Sequence, residues 1–178
     1  MYEIRIHSRG GQGGVTAARL LATAALHDGK FATACPFYGA ERRGAPGVSF
    51  VRIDDRPIKV YSQIREPDLV VVFDASVMDV VDVLHGLKTG GRVFINSAHP
   101  REFAGFAGFA TYHVDLTGIA LRENLVVAGS PILNTPVLGA LAKTGIVSAE
   151  GATTAIRGMF ADERNVRAAE AAYAEMST

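Results

Sequence analysis

Between Tyr2 and His7 apolar and charged or polar residues alternate, the period-two pattern of a strand with one buried face. From Val15 the period lengthens. Val15, Ala18, Leu21, Ala22 and Ala25 recur at three- and four-residue spacing, which predicts a helix over Val15–His27 stopped by Gly29 at its C′ position. Lys30–Cys35 reads as a second short strand, and PFYGAERRGAPG (residues 36–47) holds too many Gly and Pro residues for a regular element. Val48–Ile53 and Ile58–Tyr61 flank Asp54-Asp55-Arg56-Pro57 and predict an antiparallel hairpin. LVVVFDAS, introduced by Pro67-Asp68, shows no alternation and reads as a parallel strand buried on both faces. Ser76 stands where it would cap a helix over Val77–Leu87 that ends at Gly90-Gly91. Strands at Arg92–Asn96 and Thr111–Asp115 follow, then helices at Leu116–Arg122, from about Ile132 to Lys143, and twice more before the C-terminus.

Strands alternating with helices predict an α/β fold: an open, mostly parallel, Rossmann-like sheet with helices on both faces and an inserted antiparallel hairpin. The chain shows no internal repeat, low-complexity tract or linker, so residues 1–178 are expected to form a single domain. With 48% hydrophobic residues it has material for a proper core. Lys plus Arg number 18, as do Asp plus Glu, and this balance argues against nucleic acid or an anionic membrane as partner. No apolar run reaches the roughly 18 residues of a membrane span, and MYEIRIHS lacks the features of a signal peptide, so a cytoplasmic location is expected. Cys35 is the only cysteine, and one thiol cannot ligate an iron–sulfur cluster by itself. The five histidines include no closely spaced pair, so no metal site is expected.

The chemistry is concentrated around Gly10, Gly11, Gln12, Gly13 and Gly14, at a strand-to-helix junction. Consecutive glycines let backbone amides converge on a ligand, and the helix N-terminus behind them favours phosphate or carboxylate. Gln12 and Thr16 are candidates for added side-chain hydrogen bonds; the bland alternative is a tight turn and close strand–helix packing. The dinucleotide fingerprint fits poorly. Read from Gly11, its third glycine is replaced by Thr16, and Cys35-Pro36 stands where a ribose-binding acid belongs. No Gly-Lys-Ser/Thr completes a P-loop. In the second loop Arg42 and Arg43, beside Glu41, suit bidentate contact with phosphates or a partner's carboxylates, or else simple pairing with Glu41 and solvation. Ser130, Asn134 and Thr135 either line the same crevice or cap backbone groups, and Asp74 reads as a turn or cap residue. Cys35 reads as a small buried side chain. No nucleophile elbow, paired-carboxylate motif or Gly-Asp-Gly thiamine diphosphate motif is present, so no catalytic residue is expected in this chain.

Three segments together carry a resemblance. SRGGQGG followed by TAARLLATAA, then PFYGAERRGAPGVSFVRID, then EPDLVVVFD with ILNTPVLGALAKTGIVSAE resemble, in order, the gamma subunits of the 2-oxoacid:ferredoxin oxidoreductases of the pyruvate synthase type. The likeness spans roughly residues 4 to 160, with Ala45 where the family often has glycine. It implies a subunit, inactive alone, of a complex that oxidatively decarboxylates a 2-oxoacid to an acyl-coenzyme A and carbon dioxide. Electrons pass to ferredoxin, or to NAD where an additional subunit carries FAD. Thiamine diphosphate with magnesium and the four-iron four-sulfur clusters are implied for the partner subunits, which are the thiamine-binding, substrate-binding and iron–sulfur chains. For this chain the resemblance implies contact with coenzyme A through the glycine loop, with Arg42 and Arg43 as candidate clamps. Three rival expectations are the small subunit of an indolepyruvate-type oxidoreductase, a free-standing NAD- or FAD-binding module, and a purely structural interface subunit.

Overall fold

The computed structural model describes residues 1–37, 43–99 and 104–177. Its sheet has six strands: β1 (Tyr2–Arg9), β2 (Phe31–Phe37), β3 (Pro46–Asp54), β4 (Leu69–Val72), β5 (Arg92–Asn96) and β6 (Ala110–Val114). They lie in the order β2-β3-β1-β4-β5-β6, and β3 alone runs against the other five. β4 sits in the interior with all four residues sealed from solvent, as its unbroken apolar run requires.

The antiparallel pair is built differently from the expected hairpin. Ile58–Tyr61 forms no strand, and Val60 and Tyr61 are exposed. β3 is instead paired on both sides, with Ile4↔Val51 and Ile6↔Ser49 toward β1 and Ala34↔Val51 and Pro36↔Ser49 toward β2. The reason is burial. In the interior of the sheet β3 hides Phe50, Val51 and Ile53, a gain that a short ribbon opened by Pro57 could not match.

Five helices, α1 (Gly14–His27), α2 (Leu116–Arg122), α3 (Asn134–Lys143), α4 (Ala149–Met159) and α5 (Arg164–Glu175), contribute to one core with Ile4, Ile6, Leu69, Val71 and Phe94 of the sheet. The opposite face, carrying Val70, Val72, Val93 and Ile95, is covered by 3-10 turns at Ala75–Asp79 and Ala104–Phe106 and by irregular chain. The expected helix over Val77–Leu87 is therefore reduced to that first turn. Its cap is Asp74, whose carboxylate accepts from the Ser76 amide, and Asp82 accepts from the Leu84 amide to turn the chain again. Such local aspartate turns outcompete a helix among β-branched Val77, Val80, Val81 and Val83. Leu125–Ala128 forms half of a small hairpin, β7 (Val126–Val127) with β8 (Ser130–Pro131), turned by Ala128 and Gly129 at φ of 50° and 80°. Among the described residues no helix is long and apolar enough to cross a membrane.

α3 and α5 pack so closely that a Cβ placed on Gly139 would lie 1.9 Å from the Ala169 carbonyl oxygen. Gly139→Ala is expected to destabilise the chain by about 3 kcal/mol, by forcing the helices apart. Gly158→Ala, at a helical position with nothing within 4 Å, is expected to stabilise by about 0.5 kcal/mol through helix propensity. Urea unfolding of both variants beside the parent measures each sign.

Candidate functional site

At its carboxyl end β1 stands between β3 and β4, and the loops that leave β1 and β4 diverge toward different halves of the sheet. A crevice opens where connections part in this way. The β1 loop enters it as the glycine cluster. Gly13 caps α1 in the left-handed region at φ 89° and offers no side-chain cap. A Cβ on Gly14 would stand 2.2 Å from the Ser8 hydroxyl oxygen, so only glycine lets α1 begin this close to β1.

The underside of the loop is locked by side chains. The Gln12 Oε1 accepts from the Arg9 amide at 2.8 Å, and its Nε2 donates to Asp74 Oδ2 at 2.9 Å. The Arg9 guanidinium donates to Ser76 Oγ (2.8 Å), the Ser76 carbonyl (2.9 Å) and the Gly44 carbonyl (2.8 Å). Gly10 exchanges backbone bonds with Gly44 and Ala45, and Gln12 O accepts from the Leu133 amide. Partial burial raises the Asp74 pKa, but bonds from Ser76 and Gln12 and the charge of Arg9 outweigh it and hold the carboxyl below its usual range. The loops after β1, β2 and β4 are thereby tied into one rigid edge.

Above the loop lies an open cleft of about 600 Å³. Gly10, Gly11, Gly13 and Gly14 line it with Gly47 and Ser49 of β3, Val127, Ala128 and Ser130 of the β7–β8 hairpin, and Arg43. Arg43 reaches across the mouth, donating through Nη2 to the Ala128 carbonyl and to Ser130 Oγ. Its Nε and Nη1 have no partner among the described residues.

Of the residues expected from the sequence, the four glycines, Arg43 and Ser130 meet at this cleft. Gln12 spends its amide inside the loop. Asn134 is buried behind Gly13, its Oδ1 accepting from the Thr135 amide, while Thr135 Oγ1 donates to Asn165. Thr16 is half-buried on the first turn of α1 and does not line the cleft. Glu41 and Arg42 fall outside the described residues. Asp74 is a cap, as expected, and Cys35 is partly buried on β2. Sequence reasoning passed over Arg9 as the organiser of the edge, and Ser8 and Ser49 as cleft residues. The last two had a signal: each continues an inward apolar series, Ile4-Ile6 and Ile53-Val51, with a hydroxyl where an apolar side chain belongs.

The other face of β1 carries Glu3, Arg5, His7 and Arg9. Buried Arg5 donates to the carbonyls of Val83 (2.9 Å) and His85 (2.6 Å) and through Nε to His7 Nε2 at 3.1 Å. Burial, with the Arg5 charge added, pushes His7 down to about 4, so it is a neutral acceptor at neutral pH. Beside it Arg52 pairs with Glu3 at 2.9 Å and Lys88 with Asp68 at 2.8 Å. The unfolded chain takes up a proton at His7 near pH 6.5, which the folded chain refuses until about pH 4. Stability from this group is complete above pH 6.5 and falls as pH drops to 4, by on the order of 3 kcal/mol. Denaturant titrations between pH 7 and 4.5 measure that slope, and His7→Gln, which keeps an acceptor for Arg5, is expected to flatten it.

Comparison with known proteins identifies a chain of this fold as a subunit of an oxidoreductase complex. The chain belongs to the pyruvate ferredoxin/flavodoxin oxidoreductase family, whose model matches residues 3–175. It is 51% identical over 180 residues to the pyruvate synthase subunit PorC of Methanocaldococcus jannaschii, covering 99% of this chain and 97% of that one. It is 50% identical over 182 residues to the pyruvate/ketoisovalerate oxidoreductases common subunit gamma of Thermococcus kodakarensis, covering 97% and 96%. The crystal structure of pyruvate oxidoreductase subunit PORC from Thermotoga maritima superposes with a TM-score of 0.83 at 38% identity, covering 99% and 97% of the two chains. The resemblance to gamma subunits read from the sequence is thus borne out, as is the α/β fold with its mostly parallel sheet.

Proposed function

We propose that this chain works as one cytoplasmic domain within a complex that oxidatively decarboxylates a 2-oxoacid to an acyl-coenzyme A and carbon dioxide. Its share of the work is to hold coenzyme A in the cleft above Gly10–Gly14. The observation that carries this reading is the set of unused donors at the cleft. Among the described residues no hydrogen bond reaches the amides of Gly14, Val15 or Thr16 at the start of α1, Gly13 brings no side-chain cap, and Arg43 keeps Nε and Nη1 free. A helix N-terminus with a guanidinium opposite suits phosphate groups. No carboxylate of the described residues lines the cleft to oppose them.

The relatives' names support the same division of labour. A chain resembling a subunit common to pyruvate and ketoisovalerate oxidoreductases gains nothing by reading the oxoacid's side chain; coenzyme A is the co-substrate that both reactions share. With one cysteine, this chain leaves the clusters, thiamine diphosphate and magnesium to partner subunits, and the electrons to ferredoxin or NAD. What it contributes is positioning and charge compensation for the incoming thiol. A free-standing NAD module is disfavoured by the end of β2, where Cys35 and Pro36 stand in place of a ribose-binding acid.

In the assembled complex Arg43→Ala is expected to raise the apparent KM for coenzyme A roughly tenfold, the loss of one charge-assisted contact, and to leave that for the 2-oxoacid in place. Steady-state kinetics with each substrate varied in turn decides it. Equal shifts in both constants, or in neither, would remove coenzyme A from this cleft, and failure to assemble on gel filtration would mark Arg43 as an interface residue.

A further inference from the structure

Ser8 and Ser49 stand on the floor of the cleft, on neighbouring strands. The register pairs Ile6 with Ser49 and Ser8 with Gly47, so both serines continue the sheet face that carries Ile4, Ile6, Val51 and Ile53 under α1. Ser8 is 8% exposed and Ser49 2%. Neither hydroxyl has a hydrogen-bond partner among the described residues. Yet among the described residues the side-chain polar atoms found both unpartnered and shut off from solvent are Tyr2 Oη and Thr33 Oγ1, so the two serine hydroxyls, which line the cleft, open onto it. A buried hydroxyl left without a partner destabilises a fold, and an alanine of nearly the same volume would avoid the cost. The Ser8 oxygen lies against Gly14, only 2.2 Å from where a Cβ there would sit, which sets it beside the free amides of α1.

We propose that Ser8 and Ser49 are phosphate-binding residues: with the first amides of α1 they form a hydroxyl-and-amide seat for one phosphate group of coenzyme A. This rests on the reading of the cleft as a coenzyme A site and adds the phosphate anchor to it. Two hydroxyls and converging amides bring neutral donors to a phosphate oxygen from within the floor, while Arg43 supplies charge at the mouth. Coenzyme A offers two chemically similar occupants, its diphosphate and its ribose 3′-phosphate.

The test is calorimetric, on the assembled complex held without 2-oxoacid, titrated with coenzyme A, dephospho-coenzyme A and pantetheine. The Ser8→Ala/Ser49→Ala variant is expected to weaken coenzyme A by roughly 10- to 100-fold, since hydrogen bonds to charged groups are involved, and to narrow its advantage over pantetheine by the same factor. If dephospho-coenzyme A loses that factor too, the seat holds the diphosphate. If it is already weak on the parent complex and loses nothing more, the seat holds the 3′-phosphate. The single variants are expected to show part of the loss and serve if the double variant fails to assemble. Unchanged coenzyme A affinity in the serine variants, with Arg43→Ala still weakening it, overturns the hydroxyl seat and leaves the cleft reading intact. Parent-like affinity in all of them overturns both.

Discussion

The start of α1 against the end of β1 is the contact on which the rest of this site depends. Gly14 allows it, because any side chain there would occupy the position of the Ser8 hydroxyl. That approach aims the N-terminal end of a 14-residue helix at the edge of the sheet where β1 is flanked by β3 and β4, and so fixes where the free amides gather. A helix seated a few ångströms further out would still bury Leu20 and Leu21, but its amides would face solvent instead of a cleft. The fold would survive such a shift. The site would not.

What the sequence disclosed follows the range of the interactions involved. β1 and α1 announce themselves in their own periodicity and β4 in its unbroken apolar run, since local burial decides them. The pairing of β3 is a different matter. Val48–Ile53 reads as a strand, but its partners, β1 and β2, both precede it, and burial of Phe50 and Val51 in the sheet overrides the following candidate Ile58–Tyr61. The stretch from Val77 to Leu87 fails as a helix for a local reason that could have been weighed: aspartates at 74 and 82 offer the backbone turns instead. The site divides in the same manner. Gly10–Gly14 and Arg43 were legible as chemistry. The use of Gln12 as a strut between Arg9 and Asp74 was not, because it depends on the β4 loop arriving alongside.

Charge is arranged in two separate layers about β1. On the face away from the helices Arg5, Arg52 and Lys88 are matched by carbonyls, by neutral His7 and by Glu3 and Asp68. Few polar groups there are left to a visitor, and burial of Arg5 is tolerable only because its donors are used. At the carboxyl edge Arg9 is likewise consumed, by Ser76 and Gly44. A zero formal net charge thus hides an uneven local distribution, in which Arg9 is spent while Arg43, through Nε and Nη1, and the head of α1 keep free donors at the cleft.

That contrast between spent and unspent groups bears on how the cleft works. Gln12, Arg9 and Asp74 bond to one another and to the backbone of three loops, so the glycine amides are held in place before any ligand arrives. Fixed donors lose little freedom on binding and need no rearrangement, and a ligand gains the more from each. A loop of consecutive glycines would be a poor anchor if left free, because glycine backbones lose the most entropy when ordered. The side-chain lock beneath it turns a flexible sequence into a stiff receptor. For the role proposed above, holding coenzyme A for a reacting centre in a partner subunit, a stiff receptor is what this chain needs.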